Sequence, residues 1–195
     1  NGDAPRETRG GAARDGSCLL TDAMEGPSLT ALIPNSNYGL TTQSHPVFLV
    51  YMPSVPTGSV FFNLRDEQGQ SVYETFLPIE EAGIVAVEMP KDAPPLEQGK
   101  TYEWGVAVPC SARLRPDSPF VSGWIQRTND DNDEITTLAE PNQILKSAHQ
   151  YGQEGIWYDM LALLSDLKED APDNEVVERS WQNILDLASL SGLSS

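Results

Sequence analysis

The sequence contains few basic residues, few histidines and cysteines, and no long apolar run. It has 12 Lys and Arg against 29 Asp and Glu, which gives a formal net charge of −17. Because binding to phosphate backbones needs clustered Lys and Arg, this balance excludes nucleic acid as an expected partner. A bilayer span needs about 20 consecutive apolar residues. No segment approaches that length, so we expect no membrane insertion.

The two histidines offer little basis for acid–base or nucleophilic catalysis. His45 precedes Pro46 at a predicted strand start and His149 falls inside a predicted helix, which favours packing or surface roles. The sequence has no nucleophile elbow, zinc-protease motif, phosphate loop or dinucleotide fingerprint. Acidic residues are numerous, but no pair is singled out as the two carboxylates of a glycosidase. We therefore predict no catalytic residue, no metal site and no cofactor.

Cys18 and Cys110 are the only cysteines. Neither belongs to a CxxC pair or has a histidine nearby, as a zinc site would require. The favoured interpretation is one long-range disulfide, which would stabilise the fold by about 4 to 5 kcal/mol in the chain-entropy model; two buried thiols are the alternative. The chain also begins at Asn1 rather than Met. We expect an extracytoplasmic protein, located in the periplasm, at the cell surface or secreted.

Residues 1–17 combine Gly, Arg, Asp and Ala without apolar periodicity. Such a segment cannot nucleate a core element, so we expect an extended N-terminal arm. Nothing within the arm holds it in place. A neighbouring subunit is therefore a candidate surface for it to lie against.

Residues 18–128 consist of short β-type segments separated by Pro and Gly. They predict an immunoglobulin- or fibronectin-like β-sandwich of seven strands. The loop Asp66–Gln70 between two such segments is typical of a hairpin, and alternation within the segments suits two sheets packed face to face. The predicted strands are Leu29–Ile33, Val47–Met52, Ser59–Arg65, Val72–Leu77, Gly83–Met89, Thr101–Val108 and Phe120–Gln126.

Three aromatic residues are assigned structural roles in the predicted sandwich. Tyr102 follows a Gly-containing turn at the start of the sixth predicted strand. This placement is typical of a tyrosine corner, in which the phenol closes a hydrogen bond onto the upstream turn. A half-buried Tyr in an alternating strand is the alternative. Trp104 and Trp124 lie in adjacent late strands, which favours the sandwich core.

Residues 129–141 form an acidic linker that ends the β region. Its candidate calcium ligands are Asp130, Asp131, Asp133 and Glu134. The spacing of an EF-hand fails, because no Gly falls at the sixth position and no Glu at the twelfth. A solvated linker that supplies helix caps is the favoured interpretation.

Residues 142–195 change to a helical period and predict a small tail of three helices. The first two helices meet around Gly155, where the spacing of small and aromatic residues resembles part of a tetratricopeptide repeat. Trp157, Tyr158 and Trp181 lie in apolar stripes of the predicted helices. One such repeat cannot bury its stripe alone, so these side chains should dock on the sandwich, on each other or on a partner. An aromatic platform for a sugar is the alternative.

Five segments resemble a cyanobacterial family known only as domain of unknown function 928. They are LTALIP at 29–34, SHPVFLVYMP at 44–53, PLEQGKTYEW at 95–104, GWIQR at 123–127 and GIWYD at 155–159. The resemblance spans roughly residues 18–190 and implies an exported cyanobacterial protein. It implies no activity and transfers no catalytic position.

The leading hypothesis is an exported, non-enzymatic structural or interaction protein, a self-assembling subunit of a cell-surface or extracellular filament. Edge strands of a sandwich can accept a strand from a neighbour, and the arm and the helical tail offer further contacts for self-association. The alternative is a monomeric periplasmic module that binds a carbohydrate or a peptide through exposed aromatic residues. A carboxylate-dependent hydrolase is the least favoured hypothesis.

Overall fold

The structure, a computed structural model, describes residues 28–52, 58–79, 82–109, 114–116, 118–129 and 141–187. Its strands are β1 (Thr30–Ala31), β2 (Tyr38–Thr41), β3 (Val47–Met52), β4 (Ser59–Asp66), β5 (Ser71–Pro78), β6 (Gly83–Glu88), β7 (Thr101–Ala107) and β8 (Phe120–Arg127). Its helices are α1 (Pro141–Glu154), α2 (Trp157–Asp170) and α3 (Glu175–Leu187). The arm, Cys18, Cys110 and the linker acids at 130–134 lie outside the described residues, so the predictions made for them stay predictions.

The described part of the chain is mainly β, with eight strands in two sheets ahead of three helices. The three-stranded sheet has the order β1-β3-β6 and the five-stranded sheet the order β2-β8-β7-β4-β5. Each of the seven predicted segments overlaps a strand, but the predicted number of seven is wrong because β2 was missed. This strand has four residues, includes Gly39 and follows Asn37 in a positive-φ conformation. No alternation or β-branched run marks it, and it exists through parallel pairing with β8.

The main core lies between the two sheets. Alternate residues of β3, β4 and β7 point into it, and Phe48, Phe62 and Trp104 are fully buried there. The rings of Phe48 and Trp104 stack with centroids 4.5 Å apart. At the start of β7 the Tyr102 hydroxyl accepts a hydrogen bond from the Glu97 N–H (3.2 Å). This bond joins the strand to the turn before it.

The helices cover the outer surface of the three-stranded sheet. Helix α2 packs against β2 and β3, while α1 and α3 pack against α2. Leu49 of β3 joins Leu161 and Trp181 in a second apolar cluster on this side. Helix α3 begins at a side-chain cap, where Asn174 Oδ1 accepts from the Val176 N–H (3.0 Å). Among the described helices, none is long and apolar enough to cross a membrane.

Candidate functional site

Tyr158 of α2 inserts its side chain into the core between the sheets. Its ring is 1% exposed and meets the Phe48 ring edge-on at 5.6 Å. The hydroxyl accepts a hydrogen bond from Trp104 Nε1 (2.7 Å) and donates one to the Trp124 carbonyl (3.0 Å). Burial raises the pKa of the Tyr158 phenol well above its usual value, although the Trp104 hydrogen bond opposes that rise. The phenol is therefore neutral and serves as a structural link between helix and sheet.

The two neighbours of Tyr158 fix α2 to the end of the sandwich. Trp157 Nε1 donates to the Leu32 carbonyl (3.1 Å). The buried carboxylate of Asp159 accepts from the hydroxyl of Thr41, and also from the N–H (2.9 Å) and hydroxyl (2.5 Å) of Thr42. A buried carboxylate needs such donors because its desolvation is otherwise costly. Trp157, Tyr158 and Asp159 together form what we call the α2 docking motif.

Two glycines let the α2 docking motif approach the sheets. A Cβ on Gly39 would lie 2.9 Å from Trp157 Cβ and 3.0 Å from Tyr158 Cε2. A Cβ on Gly123 would lie 3.0 Å from Trp104 Nε1 and 3.2 Å from the Tyr158 hydroxyl. Real Cβ contacts are rarely so short, so larger residues would push the helix away. Glycine at both positions is thus required for the close packing of α2.

The other residues of the GWIQR segment also have structural partners. The Trp124 carbonyl accepts the hydrogen bond from the Tyr158 hydroxyl, and Ile125 is fully buried in the main core. Gln126 accepts from the Tyr38 hydroxyl (2.6 Å) through Oε1 and donates to the Gly99 carbonyl (2.9 Å) through Nε2. Arg127 donates through Nη1 to the Leu96 carbonyl (2.8 Å). GWIQR and GIWYD therefore meet in one joint that holds the helices on the sandwich.

The aromatic residues singled out in the sequence are mostly engaged within the chain. Trp104 is fully buried, Trp181 lies in the helical cluster, and Trp157 is half-buried at the joint. A sugar platform built on these side chains would need exposed ring faces, which they do not offer. Trp124 differs, because its half-buried side chain lies on the outer face of β8.

The two histidines have local partners. His45 Nδ1 lies 3.1 Å from Ser44 Oγ, and its Nε2 lies 3.0 Å from the Ala93 carbonyl. The carbonyl takes an N–H from Nε2, so Nδ1 accepts from the serine hydroxyl. These bonds tie the start of β3 to the loop before β7. His149 is exposed on α1 and accepts from Gln153 Nε2 (2.9 Å), and the described residues contain no metal-ligating cluster of three or more.

The outer face of the five-stranded sheet carries exposed aromatic residues. Phe76 is 52% exposed and Phe120 is 38% exposed. The strand register places Phe76 of β5 opposite Phe61 of β4, then Ala107 of β7, then Phe120 of β8, in one row across four strands. Half-buried Trp124 lies further along β8 on the same face. We call this surface on β5, β4, β7 and β8 the open face; among the described elements, the helices pack mainly on β3 and on the edge strand β2.

The centre of the open face, around Gly105, is covered by uncharged side chains. A Cβ on Gly105 would lie 2.6 Å from the Phe120 ring and 2.5 Å from the Asn63 amide, so both side chains lie over the glycine. The Asn63 amide bridges the Gly105 carbonyl and Arg65 Nε, each at 3.1 Å. The charged side chains of this face include, among the described residues, Glu74 opposite Asn63, and Arg65 and Glu103 in the row of Trp124. An apolar patch with a polar margin is typical of a surface that contacts a partner.

Sequence reasoning missed the open face, although β5 carried a signal for it. Glu74 and Phe76 are two residues apart and so share a face of the strand. A glutamate marks that face as outward, and the phenylalanine beside it is then an exposed aromatic residue. No comparable signal distinguishes Phe120, whose exposure depends on where β8 begins.

One comparison with known proteins gives a match. The family model described as Domain of Unknown Function (DUF928) matches residues 9–195, which is nearly the whole chain. Among curated proteins, none matches the sequence. The match includes both the sandwich strands and the helices, in agreement with a joint that links the two.

Proposed function

The chain belongs to the family of the Domain of Unknown Function DUF928, and we propose that it is an exported, non-enzymatic interaction protein that binds a protein partner on its open face. The observation that carries the proposal is the row of Phe76, Phe61, Ala107 and Phe120, which contains no charged side chain. Elsewhere the molecule is strongly acidic, with a net charge of −17. Burying this row against a partner would remove exposed apolar area without burying unpaired charge.

The geometry of the rings favours a protein over a polysaccharide. Phe61 and Phe76 have centroids 5.3 Å apart and planes inclined by 59°. A sugar chain stacks on ring faces that are close to coplanar, whereas a protein surface can fit between inclined rings. Aromatic anchors are also typical of the few residues that dominate protein binding energy.

An immunoglobulin-like fold supports the same proposal. We assign β1, β3 and β6 to the first sheet of such a sandwich and β4, β7 and β8 to the second, with β2 and β5 added at its edges. The bond between the Tyr102 hydroxyl and the Glu97 N–H occupies the place of a tyrosine corner. Sandwiches of this class commonly present one sheet to a partner, and here the helices contact the five-stranded sheet mainly at its edge strand β2.

Export and the absence of catalysis belong to the proposal as well. Support for export comes from Cys18 and Cys110, the only cysteines, which fit a structural disulfide. Support for a non-enzymatic role comes from the partners of His45 and the structural engagement of the two family segments. Neither histidine faces a carboxylate in the described hydrogen bonds, as a catalytic triad would require.

Site-specific photocrosslinking tests the open face directly. We would place benzoylphenylalanine at position 120 of the full chain, produce it in the native host and irradiate intact cells. The matched control carries the same group at position 176 of α3, because Val176 is at least as exposed as Phe120 (53% against 38%) but lies on the helical side. The proposal predicts a discrete protein adduct from position 120 that the control does not give.

Two outcomes would overturn the proposal. One is the same adduct pattern from positions 120 and 176, because the adducts would then report collisions rather than a site. The other is binding of a glycan, observed as quenching of Trp124 fluorescence, that is lost in Phe120→Ser. That result would place the chain among carbohydrate-binding modules. Phe120→Ser lies outside the joint, so it should leave the thermal unfolding midpoint near that of the parent protein.

A further inference from the structure

The outer edge of β5 is a second surface, distinct from the open face. Strand β5 has eight residues and forms one end of the five-stranded sheet, with β4 as its neighbour in the described part of the chain. A long edge strand exposes main-chain donors and acceptors that can pair with another strand. We call the outer side of Ser71–Pro78 the open edge.

The main-chain groups at the open edge follow from the register with β4. The Ile79 N–H donates to the Gly58 carbonyl (3.0 Å). In an antiparallel pair the residues that bond to one neighbour alternate, so the bonds to β4 involve every second residue from Ile79 back to Tyr73. Glu74 and Phe76 therefore point their N–H and C=O groups away from β4. Both side chains are exposed as well.

The other sheet edges are shorter or protected. Strand β1 has two residues, and at the edge strand β2 the Leu40 N–H is already bonded to the Gly155 carbonyl (3.0 Å). Strand β6 begins at Gly83 in a positive-φ conformation and ends at Glu88, whose charge contributes to the raised pKa of Asp166 on α2. A second acidic chain would meet like charge at β6. The open edge is longer, with eight residues. Its protection consists of the Glu74 charge within the strand and Pro78 at its end.

We propose that a second copy of this chain pairs antiparallel with β5 at the open edge, which joins the two five-stranded sheets into one ten-stranded sheet. Thr75 lies on the two-fold axis opposite its counterpart. The N–H and C=O of Glu74 and Phe76 then make four hydrogen bonds with those of Phe76 and Glu74 in the second copy. The contact uses the same strand on both copies, so it closes as a dimer. It goes beyond the proposed use of the open face, because it concerns the edge.

The side chains select this register over its neighbours. Glu74 lies opposite Phe76 of the second copy, so no like charges are directly opposite each other. The two Phe76 side chains, and likewise the two Glu74 side chains, are diagonal neighbours about 7–8 Å apart. A shift of two residues in one direction would set the two Glu74 carboxylates opposite each other. The opposite shift would pair Glu74 with Pro78, which has no N–H to donate. The Thr75-centred register avoids the first cost and moves Pro78 to the outermost pair, opposite Val72 of the second copy.

A pair of variants at one position tests the main-chain contact. Glu74→Pro removes a donor at the open edge and leaves the ladder with β4 intact, whereas Glu74→Ala removes the side chain and keeps the donor. Sedimentation velocity of the full chain from about 1 to 100 μM at physiological salt measures the monomer–dimer equilibrium. The parent protein and Glu74→Ala should dimerise. Glu74→Pro should weaken the dimer at least about tenfold, which corresponds to about 1.4 kcal/mol.

Amide hydrogen exchange on the unmodified chain gives an independent measure, which decides the matter if Glu74→Pro does not fold. The Glu74 and Phe76 amides should exchange slowly at high protein concentration and quickly on dilution. A parent protein that stays monomeric throughout would overturn the proposal. So would concentration-independent exchange of these amides, or a dimer that is lost on deleting residues 1–17 but kept in Glu74→Pro. Crosslinking at position 120 is separate, so either proposal can fail while the other stands.

Discussion

Replacing Tyr158 by Phe removes one oxygen atom from the centre of the molecule. Trp104 Nε1 then loses its acceptor at 2.7 Å and the Trp124 carbonyl loses a donor at 3.0 Å. The indole cannot turn towards water, because Trp104 is fully buried and stacked on Phe48. An unpaired buried polar group costs about 1–3 kcal/mol. We expect the free energy of unfolding to fall by about 2–3 kcal/mol, mostly through the indole N–H.

Equilibrium unfolding in urea, followed by tryptophan fluorescence, measures this loss. With a slope near 2 kcal/mol per molar urea, the midpoint should fall by about 1 M while the slope stays constant. The matched control is Tyr73→Phe, because the Tyr73 hydroxyl makes only long contacts of 3.3 Å with the Asp92 carboxylate near the surface. That variant should change stability by less than about 0.5 kcal/mol. Equal effects of the two variants would refute the role assigned to the Tyr158 hydroxyl.

Three further predictions concern packing, charge and the cysteines. Gly39→Ala should lower the free energy of unfolding by about 1–3 kcal/mol through overpacking against α2. Gly152→Ala inside α1 is the control and should not lower it, because the new Cβ would meet only the flexible Met160 side chain. Similar thermal midpoints for the two variants would contradict the role assigned to Gly39. Burial, with nearby carboxylates, raises the pKa of Asp166 in the folded state. The contribution of Asp166 to stability is therefore present at low pH and is lost as the pH rises through the raised pKa. Asp166→Asn should raise the thermal unfolding midpoint slightly at pH 7 and should not raise it at pH 3. If Cys18 and Cys110 form the predicted disulfide, the protein unfolded without a reductant has no thiol that a thiol reagent can titrate. Reduction should then lower the thermal unfolding midpoint. Two titratable thiols in the unreduced protein would exclude the disulfide.

Alternation made most of the sandwich predictable. The segments from Val47–Met52 to Phe120–Gln126 are marked by period-two patterns and turn residues, and each overlaps a strand. The strand β2 could not be found this way, because Gly39 and its short length give no local signal. Its place is set by Trp124 and its neighbours on β8, with which it pairs. Pairing between segments 80 residues or more apart is a property of the folded chain.

The helices were predictable in number, but the depth to which α2 penetrates the sandwich was not. A helical stripe containing Trp157 and Tyr158 indicates a docking surface without saying what it meets. The structure shows that Tyr158 reaches Trp104 between the sheets, which depends on the small size of Gly39 and Gly123. The glycines acquire this meaning only once the helix is in place. The open face was likewise hidden, because a single Phe76 on a polar strand face is not unusual in a sequence.

The position of Tyr158 also has a consequence for how the protein is made. A ribosome that has released only the residues up to β8 has produced every strand that the structure describes, yet the core between the sheets still lacks one of its largest side chains. The Trp104 indole N–H finds its acceptor only after α2 has emerged. The β region and the helices should therefore unfold in a single cooperative transition. A fragment that ends after β8 should fail to reproduce the core packing that these strands have in the full chain. We then expect the boundary visible in the composition to separate two kinds of secondary structure within one folding unit.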